Sequence, residues 1–224
     1  MKRILLLVVL CVSTLSFSQK TIEKNLGDFN KLKVYDLIEV ELIKANENKM
    51  LITGNNRDHV IINNKKGILK IKLRLESAFK GKDTKVTLYY KELDVIDANE
   101  GALVYSNDDI EQYQIDLKTQ EGAKINVYLN VNYLNIKSVT GGNITASGTA
   151  KHQEVAIFTG GVYEGKLLKT NITNVSVNAA GVAHVNATNK ATAAVRAGGN
   201  IYIYGHPKEI DESKFIGGKI EKVE

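Results

Sequence analysis

A glycine-centred segment recurs through the second half of this chain at a nearly constant spacing. It reads EGALVY at 100–105, EGAKINV at 121–127, GGNITA at 141–146 and GGVYEG at 160–165. AGVAHV at 180–185, GGNIYI at 198–203 and GGKIEKV at 217–223 complete the series. Marked by the second residue of each segment, the glycines fall at 101, 122, 142, 161, 181, 199 and 218. A period of 18 to 21 residues is the signature of a solenoid, in which each repeat is one coil and contacts only its neighbours. A coil of that length holds three short strands joined by turns, and coils stack at about 4.8 Å, so seven of them span about 30 Å. The handedness of parallel crossovers predicts right-handed winding.

Residues at +2 and +4 after each marked glycine are mostly apolar: Leu103 and Tyr105, Ile144 and Ala146, Ala183 and Val185, Ile201 and Ile203. These form the predicted inward ladders, with Leu134/Ile136, Val155/Ile157 and Val175/Val177 before the glycine. The second coil reads one residue late, at Ile125 and Val127, which predicts a bulge; the fourth places Tyr163 and Gly165 inward. Coils as rich in Ala and Gly as NAAGVAHVNA leave no room inside for a ligand, so function falls on the outer columns or the ends.

The rest of the chain is read around this solenoid. Lys2-Arg3, the apolar run Ile4–Val12 and Ser16-Phe17-Ser18 form a secretory leader over 1–18, which implies export to the periplasm, the outer-membrane surface or the exterior. Cys11, the single cysteine, follows Leu10 rather than the small residue a lipoprotein signal needs, and it is read as part of the discarded leader. The mature chain then carries no disulfide and must be held by its core and ladders. From 19 to 92 short alternating runs such as Ile38/Val40/Leu42, Ile71/Leu73/Leu75 and Val86/Leu88/Tyr90, broken by Asn/Gly turns, predict a β section that caps or starts the stack. Residues 76–84 have no periodicity and read as an exposed connection to the solenoid over 93–224. Nothing in the mature chain reaches transmembrane length.

Removing Lys2 and Arg3 from the 30 basic residues leaves 28 against 25 acidic, a formal +3. The charge is scattered lysine, with only Arg57, Arg74 and Arg196, so no basic stripe of the kind nucleic-acid binding requires is present. The lysines at 65–91 read as the solvent face of alternating strands and as edge protection.

Several segments together resemble a known family. FNKLKVYDLIEVEL, LITGNNRD, GILKIKLR, VTLYYKELDVIDANEGALV and the closing GNIYIYGHPKEIDESKFIGGKIEKV follow one another in the order and spacing of the GIN domain, the auto-transporter adhesin head domain of exported Bacteroidetes proteins. The resemblance implies a right-handed parallel β-helix in the periplasm or on the cell surface, and it brings no catalytic residues with it.

If +2 and +4 point inward, +3 and +5 point out. Coils four to six then align Glu164, His184 and Tyr202, beside Lys166, Asn186 and Tyr204. Carboxylate, imidazole, amine, amide and phenols in one patch suit a polar ligand such as a sugar, because a phenol offers an apolar face and a polar tip. The expected function is a non-catalytic, adhesin-like module binding a cell-surface glycan or an envelope protein, without cofactor. The alternatives are a carbohydrate-active enzyme, with Glu164 and His184 as acid and base, or a purely structural envelope protein. Stacked Glu100 and Glu121 fall short of the six to eight oxygens that Ca²⁺ prefers, and His59, His152, His184 and His206 have no ligand spacing, so no metal is expected. Pro207 is read as the corner where the last coil leaves the stack.

Overall fold

The computed structural model describes residues 21–223; the leader predicted over 1–18, with Cys11, lies outside the described residues. Among the described residues, sixteen strands form one continuous sheet. Eight are short: β1 (Ile22–Asn25), β2 (Lys31–Val34), β3 (Glu39–Lys44), β4 (Lys49–Gly54), β5 (Val60–Lys65), β6 (Ile68–Leu73), β7 (Thr84–Tyr90) and β8 (Val95–Ala98). Five long ones follow: β9 (Leu103–Thr119), β10 (Lys124–Ser138), β11 (Asn143–Ile157), β12 (Val162–Val177) and β13 (Val182–Ala197). The last three are β14 (Asn200–Tyr204), β15 (Glu209–Ile216) and β16 (Lys219–Lys222). The stacked parallel coils make a β-solenoid of about seven turns. Each central coil is one long bent strand and a single tight turn, where the sequence reading expects three short strands and three turns.

Two ladders run along the stack. The first, built from strands that follow each corner, runs β1-β4-β7-β3 and then through the leading halves of β9 to β13 into β14 and β16. The second, built from strands that precede each corner, runs β5-β6-β2-β8 and then through the trailing halves of β9 to β13 to β15. Chain order and stacking order differ at the start: the β2–β3 rung lies between β6–β7 and β8–β9. With eleven strands in the first ladder the stack spans about 48 Å at the usual interstrand spacing, longer than the glycine repeats alone predict. The antiparallel strands β1, β4 and β5 close the N-terminal end.

The corner explains the glycine signal. Glu100-Gly101, Glu121-Gly122, Thr140-Gly141 and Thr159-Gly160 all have both residues at positive φ, between 45° and 74°. The backbone closes across each pair, as in Ala102 N to Asn99 O (3.0 Å) and Gly142 N to Val139 O (3.0 Å). Two successive left-handed residues inside such a bond are a type I′ turn, which favours glycine at the second position. The register Leu103, Lys124, Asn143, Val162, Val182, Asn200, Lys219 makes Gly101, Gly122, Gly141, Gly160, Ala180, Gly198 and Gly217 equivalent. Marking the second residue of each segment therefore shifts the first two repeats by one. At the first four corners the residue after the turn is buried; a Cβ on Gly142 would lie 2.6 Å from Thr119 Oγ1, whereas the first two coils accommodate Ala102 and Ala123 there.

This shift corrects two expectations. In the first coil Ala102, Val104 and Ser106 face inward, and Leu103 and Tyr105 are only half buried. Ile125 and Val127 read late because the marked glycine is early; the irregular strand is β9, where Ser106–Asp108 lie opposite Val127 alone. Two further expectations change. Residues 74–83 are the corner of the β6–β7 rung, with Ser77 and Gly81 buried, rather than a detached connection. Pro207 lies in the turn between β14 and β15, and β15 rejoins the stack on β13, so the chain does not leave there.

Tyr163 and Gly165 do face inward, and they form a pair. Tyr163 is fully buried, and a Cβ on Gly165 would lie 2.4 Å from its Cζ and Oη. The ring lies where the next inward side chain would stand. Its hydroxyl accepts a hydrogen bond from Gln153 Nε2, whose Oε1 accepts one from Thr173 Oγ1 at 3.2 Å. Burial holds the phenol far above its ordinary pKa, so it stays protonated. Gly165→Ala is expected to cost about 1–3 kcal/mol through overpacking, read as a lower urea midpoint at unchanged slope.

Candidate functional site

The fold brings the sequence-predicted patch together. Glu164 on β12, His184 on β13 and Tyr202 on β14 are direct lateral neighbours, and Asn186 is paired with Tyr204. The imidazole of His184 stacks on the Tyr202 ring at 4.7 Å and lies 5.9 Å from the Tyr204 ring. His184 Nδ1 is 3.1 Å from Tyr204 Oη, and its Nε2 is 3.9 Å from Glu164 Oε1. Lys166 is the one member out of register: Asn186 pairs with Lys169 instead. It still joins the patch, with Nζ 5.0 Å from the centre of the Tyr204 ring and its carbonyl accepting a bond from Asn186 Nδ2 at 2.9 Å. Burial first, then the Glu164 carboxylate and the Tyr202 and Glu221 side chains, raise the Tyr204 pKa above the ordinary phenol value. The hydroxyl therefore remains a donor at neutral pH.

The reason Lys166 falls out of register opens the larger half of the site. Between Glu164 and Lys169, four residues of β12 lie opposite Val185 alone. Within this stretch Gly165 and Leu168 stay buried, and Lys166 and Leu167 stand outward as a ridge, on which Leu167 is 73% exposed. On the far side, β9 carries its own bulge at Ser106–Asp108. Between these two bulged coils, β10 and β11 pair residue for residue through Tyr128–Val131 and form a floor. The result is a saddle of about 500 Å³ whose lining includes Tyr105, Asn126, Tyr128, Thr145, Glu164 and Lys166. Glu164 and Lys166 belong to both halves, so the saddle and the predicted patch are one surface divided by the ridge.

Sequence reasoning missed the saddle half. Tyr105 was assigned inward because of the shifted glycine mark; its hydroxyl instead donates to Glu39 Oε1 at 3.1 Å. Tyr128 is 50% exposed, and the alternation in KINVYLNV, with Asn126 and Asn130 on the same face, contains that signal. The second ladder carries another outward row, Tyr113–Tyr133–His152, with ring centres 5.3 and 4.9 Å apart. His59 lies within hydrogen-bond distance of Ser77, and His206 occupies a turn at φ 52°. Among the described residues no group of three or more His, Cys, Asp or Glu side chains is placed to hold a metal. No helix among them is long and apolar enough to cross a membrane.

Chemically the surface offers phenol faces, amide and hydroxyl donors, the His184 imidazole, the Glu164 carboxylate and the Lys166 amine. Glu164 and His184 are in contact, but the carboxylate side chain is 45% exposed on an open face.

The structure superposes on a crystal structure described as a "putative adhesin" from Bacteroides fragilis with a TM-score of 0.84 at 21% identity. Described in the same words are structures from Parabacteroides distasonis (TM-score 0.75, 21% identity) and Parabacteroides merdae (0.71, 18%). Each alignment covers 93% of this chain and 98% of the other. These likenesses establish the fold. No curated protein matches the chain. A family model described as "Putative auto-transporter adhesin, head GIN domain" matches residues 28–207. With that match spanning most of its length, the chain belongs to the GIN-domain family of adhesin-like proteins.

Proposed function

We propose that the protein is a non-catalytic, exported adhesin-like module that binds cell-surface glycan along the first ladder, with the saddle and the Glu164–Tyr204 patch as one extended site. The observation that supports this reading most is the pairing of rings and polar groups across the ridge. Tyr128 and Tyr105 lie on one side, Tyr202 and Tyr204 on the other, and Glu164 and Lys166 between them. A sugar chain presents apolar ring faces and a fringe of hydroxyls, and this surface alternates in the same way along its length. Successive coils repeat at about 4.8 Å, close to the rise of one sugar residue, so a linear glycan could keep contact over several coils.

The test is a glycan array probed with the wild-type protein and with Tyr128→Ala, Glu164→Ala and Tyr202→Ala. Each substitution is expected to weaken binding about tenfold, as truncation of a central contact residue does, with the melting temperature unchanged. Unchanged binding in all three variants would remove the site. Release of new reducing ends from a bound glycan would instead favour a carbohydrate-active enzyme using Glu164 and His184.

A further inference from the structure

A second surface lies at the corner of the β6–β7 rung, apart from the saddle. There Leu75 is 90% exposed and Phe79 63%, although both are large apolar side chains in a chain with a well-filled core. They line a hollow of about 680 Å³ with Ile61 and Leu73, and Lys70 and Lys72 form part of its wall. Lys70 and Lys72 lie directly opposite Asn63 and Ile61 in the β5–β6 hairpin, so amines and apolar groups share one face.

The corner is held in this pose. Phe79 has φ of 59°, a left-handed conformation that costs a residue with a Cβ about 1–2 kcal/mol. The buried Asp36 carboxylate accepts hydrogen bonds from Leu73 N (2.9 Å) and Phe79 N (3.2 Å). Asp36 O accepts a third from Gly81 N at 3.1 Å. Phenylalanine at position 79 is thus unfavourable twice, in backbone strain and in apolar exposure, at a site whose φ would suit glycine.

The charge around it has one sign in excess. Lys70, Lys72, Arg74, Lys80 and Lys82 are all exposed, and none forms an ion pair among the described residues, whereas Lys33, Lys49, Lys85 and Lys190 all do. The local carboxylates are Glu76, Asp83, Glu100 and the buried Asp36, which is engaged by the corner's own N–H groups, so five cations stand against four carboxylates. Exposed apolar tips within a ring of unpaired cations are complementary to a lipid surface with anionic headgroups, where the tips enter the acyl boundary and the amines meet phosphates.

We propose that this corner is a membrane-docking site: Leu75 and Phe79 insert into an anionic lipid surface, and Lys70 and Lys72 hold its headgroups. The site would set the solenoid against a bilayer and leave the saddle on a different part of its circumference free. It does not depend on what the saddle binds.

The experiment is co-sedimentation of the purified protein with phosphatidylcholine vesicles, with and without about 30 mol% phosphatidylglycerol. Binding is expected only with the anionic lipid and should weaken with salt. Lys70→Gln combined with Lys72→Gln should weaken it about 25-fold, at about fivefold per cation near a charged surface. Phe79→Gly should weaken it about tenfold or more while the melting temperature stays level or rises, because glycine relieves the backbone. A ring that merely supports the fold would give the opposite pair of results. Absence of wild-type binding, equal binding to both vesicles, or full binding by Phe79→Gly would overturn the proposal. So would a solution dimer that Phe79→Gly dissociates, since the hollow would then be covered by a second copy.

Discussion

Val177→Asp is expected to leave the chain unfolded at room temperature. Val177 ends β12 fully buried and sits laterally between Ile157 of β11 and Val195 of β13. Its Cγ1 also fills the space beside Gly199, where a Cβ would come within 2.5 Å. A carboxylate there has no cation to pair with among these neighbours and cannot reach water without opening two coil interfaces. It must either remain charged at a cost of several kcal/mol or take up a proton at a comparable cost. A domain of this size has about 5–15 kcal/mol in total, and in a stacked architecture the loss falls on both adjoining interfaces at once. Val177→Ala separates polarity from cavity; it should cost only about 1–2 kcal/mol and keep a single cooperative transition. The measurement is urea unfolding followed by far-ultraviolet circular dichroism. A folded baseline for Val177→Asp in dilute buffer would contradict the inward assignment of this column.

The sequence carried the period and the later inward columns because both come from local rules. A type I′ corner asks for glycine wherever it occurs, and strand alternation sorts Ile144, Ala183, Val185 and Ile201 to one side. Register was harder. Ala102 and Ala123 fill a position that later coils leave to glycine, so EGA and GGN look alike while differing by one residue, and that shift turned Tyr105 the wrong way. The stacking order of the first rungs depends on pairings such as Lys33 with Lys70 and with Asp97, for which adjacent sequence gives no cue. The predicted patch was legible because His184 and Tyr202 lie on unbulged strands one period apart. The saddle was not, because it arises from extra residues in β9 and β12 relative to neighbouring strands. A single coil does not reveal such a difference in length. Tyr163 and Gly165 were visible as an anomaly, and the anomaly is structural: the buried ring takes the place of a side chain at 165, where the ridge begins.

The second large effect is expected at Asp36. This residue has φ of 60° and is 5% exposed, and its carboxylate is the acceptor that joins the β2–β3 corner to the β6–β7 corner. Asp36→Ala removes two hydrogen bonds to a charged group, leaves the N–H groups of Leu73 and Phe79 without their acceptor, and places a Cβ without polar compensation in a left-handed conformation. The combined cost is about 3–5 kcal/mol. Three substitutions divide that total. Asp36→Gly suits the backbone and loses only the hydrogen bonds, so it should be less harmful than alanine by about 1 kcal/mol. Asp36→Asn tolerates the same φ and can accept one of the two bonds, so it should retain roughly half the stability lost by alanine. The order Asp, Asn, Gly, Ala in urea midpoint is the expected outcome; alanine equal to glycine would remove the backbone contribution, and asparagine equal to aspartate would remove the second hydrogen bond. Hydrogen exchange localises the effect. Both N–H groups should lose protection in Asp36→Ala while the amides of β10 to β12 keep theirs, because the affected corners lie toward the N-terminal end of the stack. Loosening that corner would also release Phe79 from its exposed pose, so Asp36→Asn should weaken lipid binding through positioning alone, with every cation and both apolar tips still present.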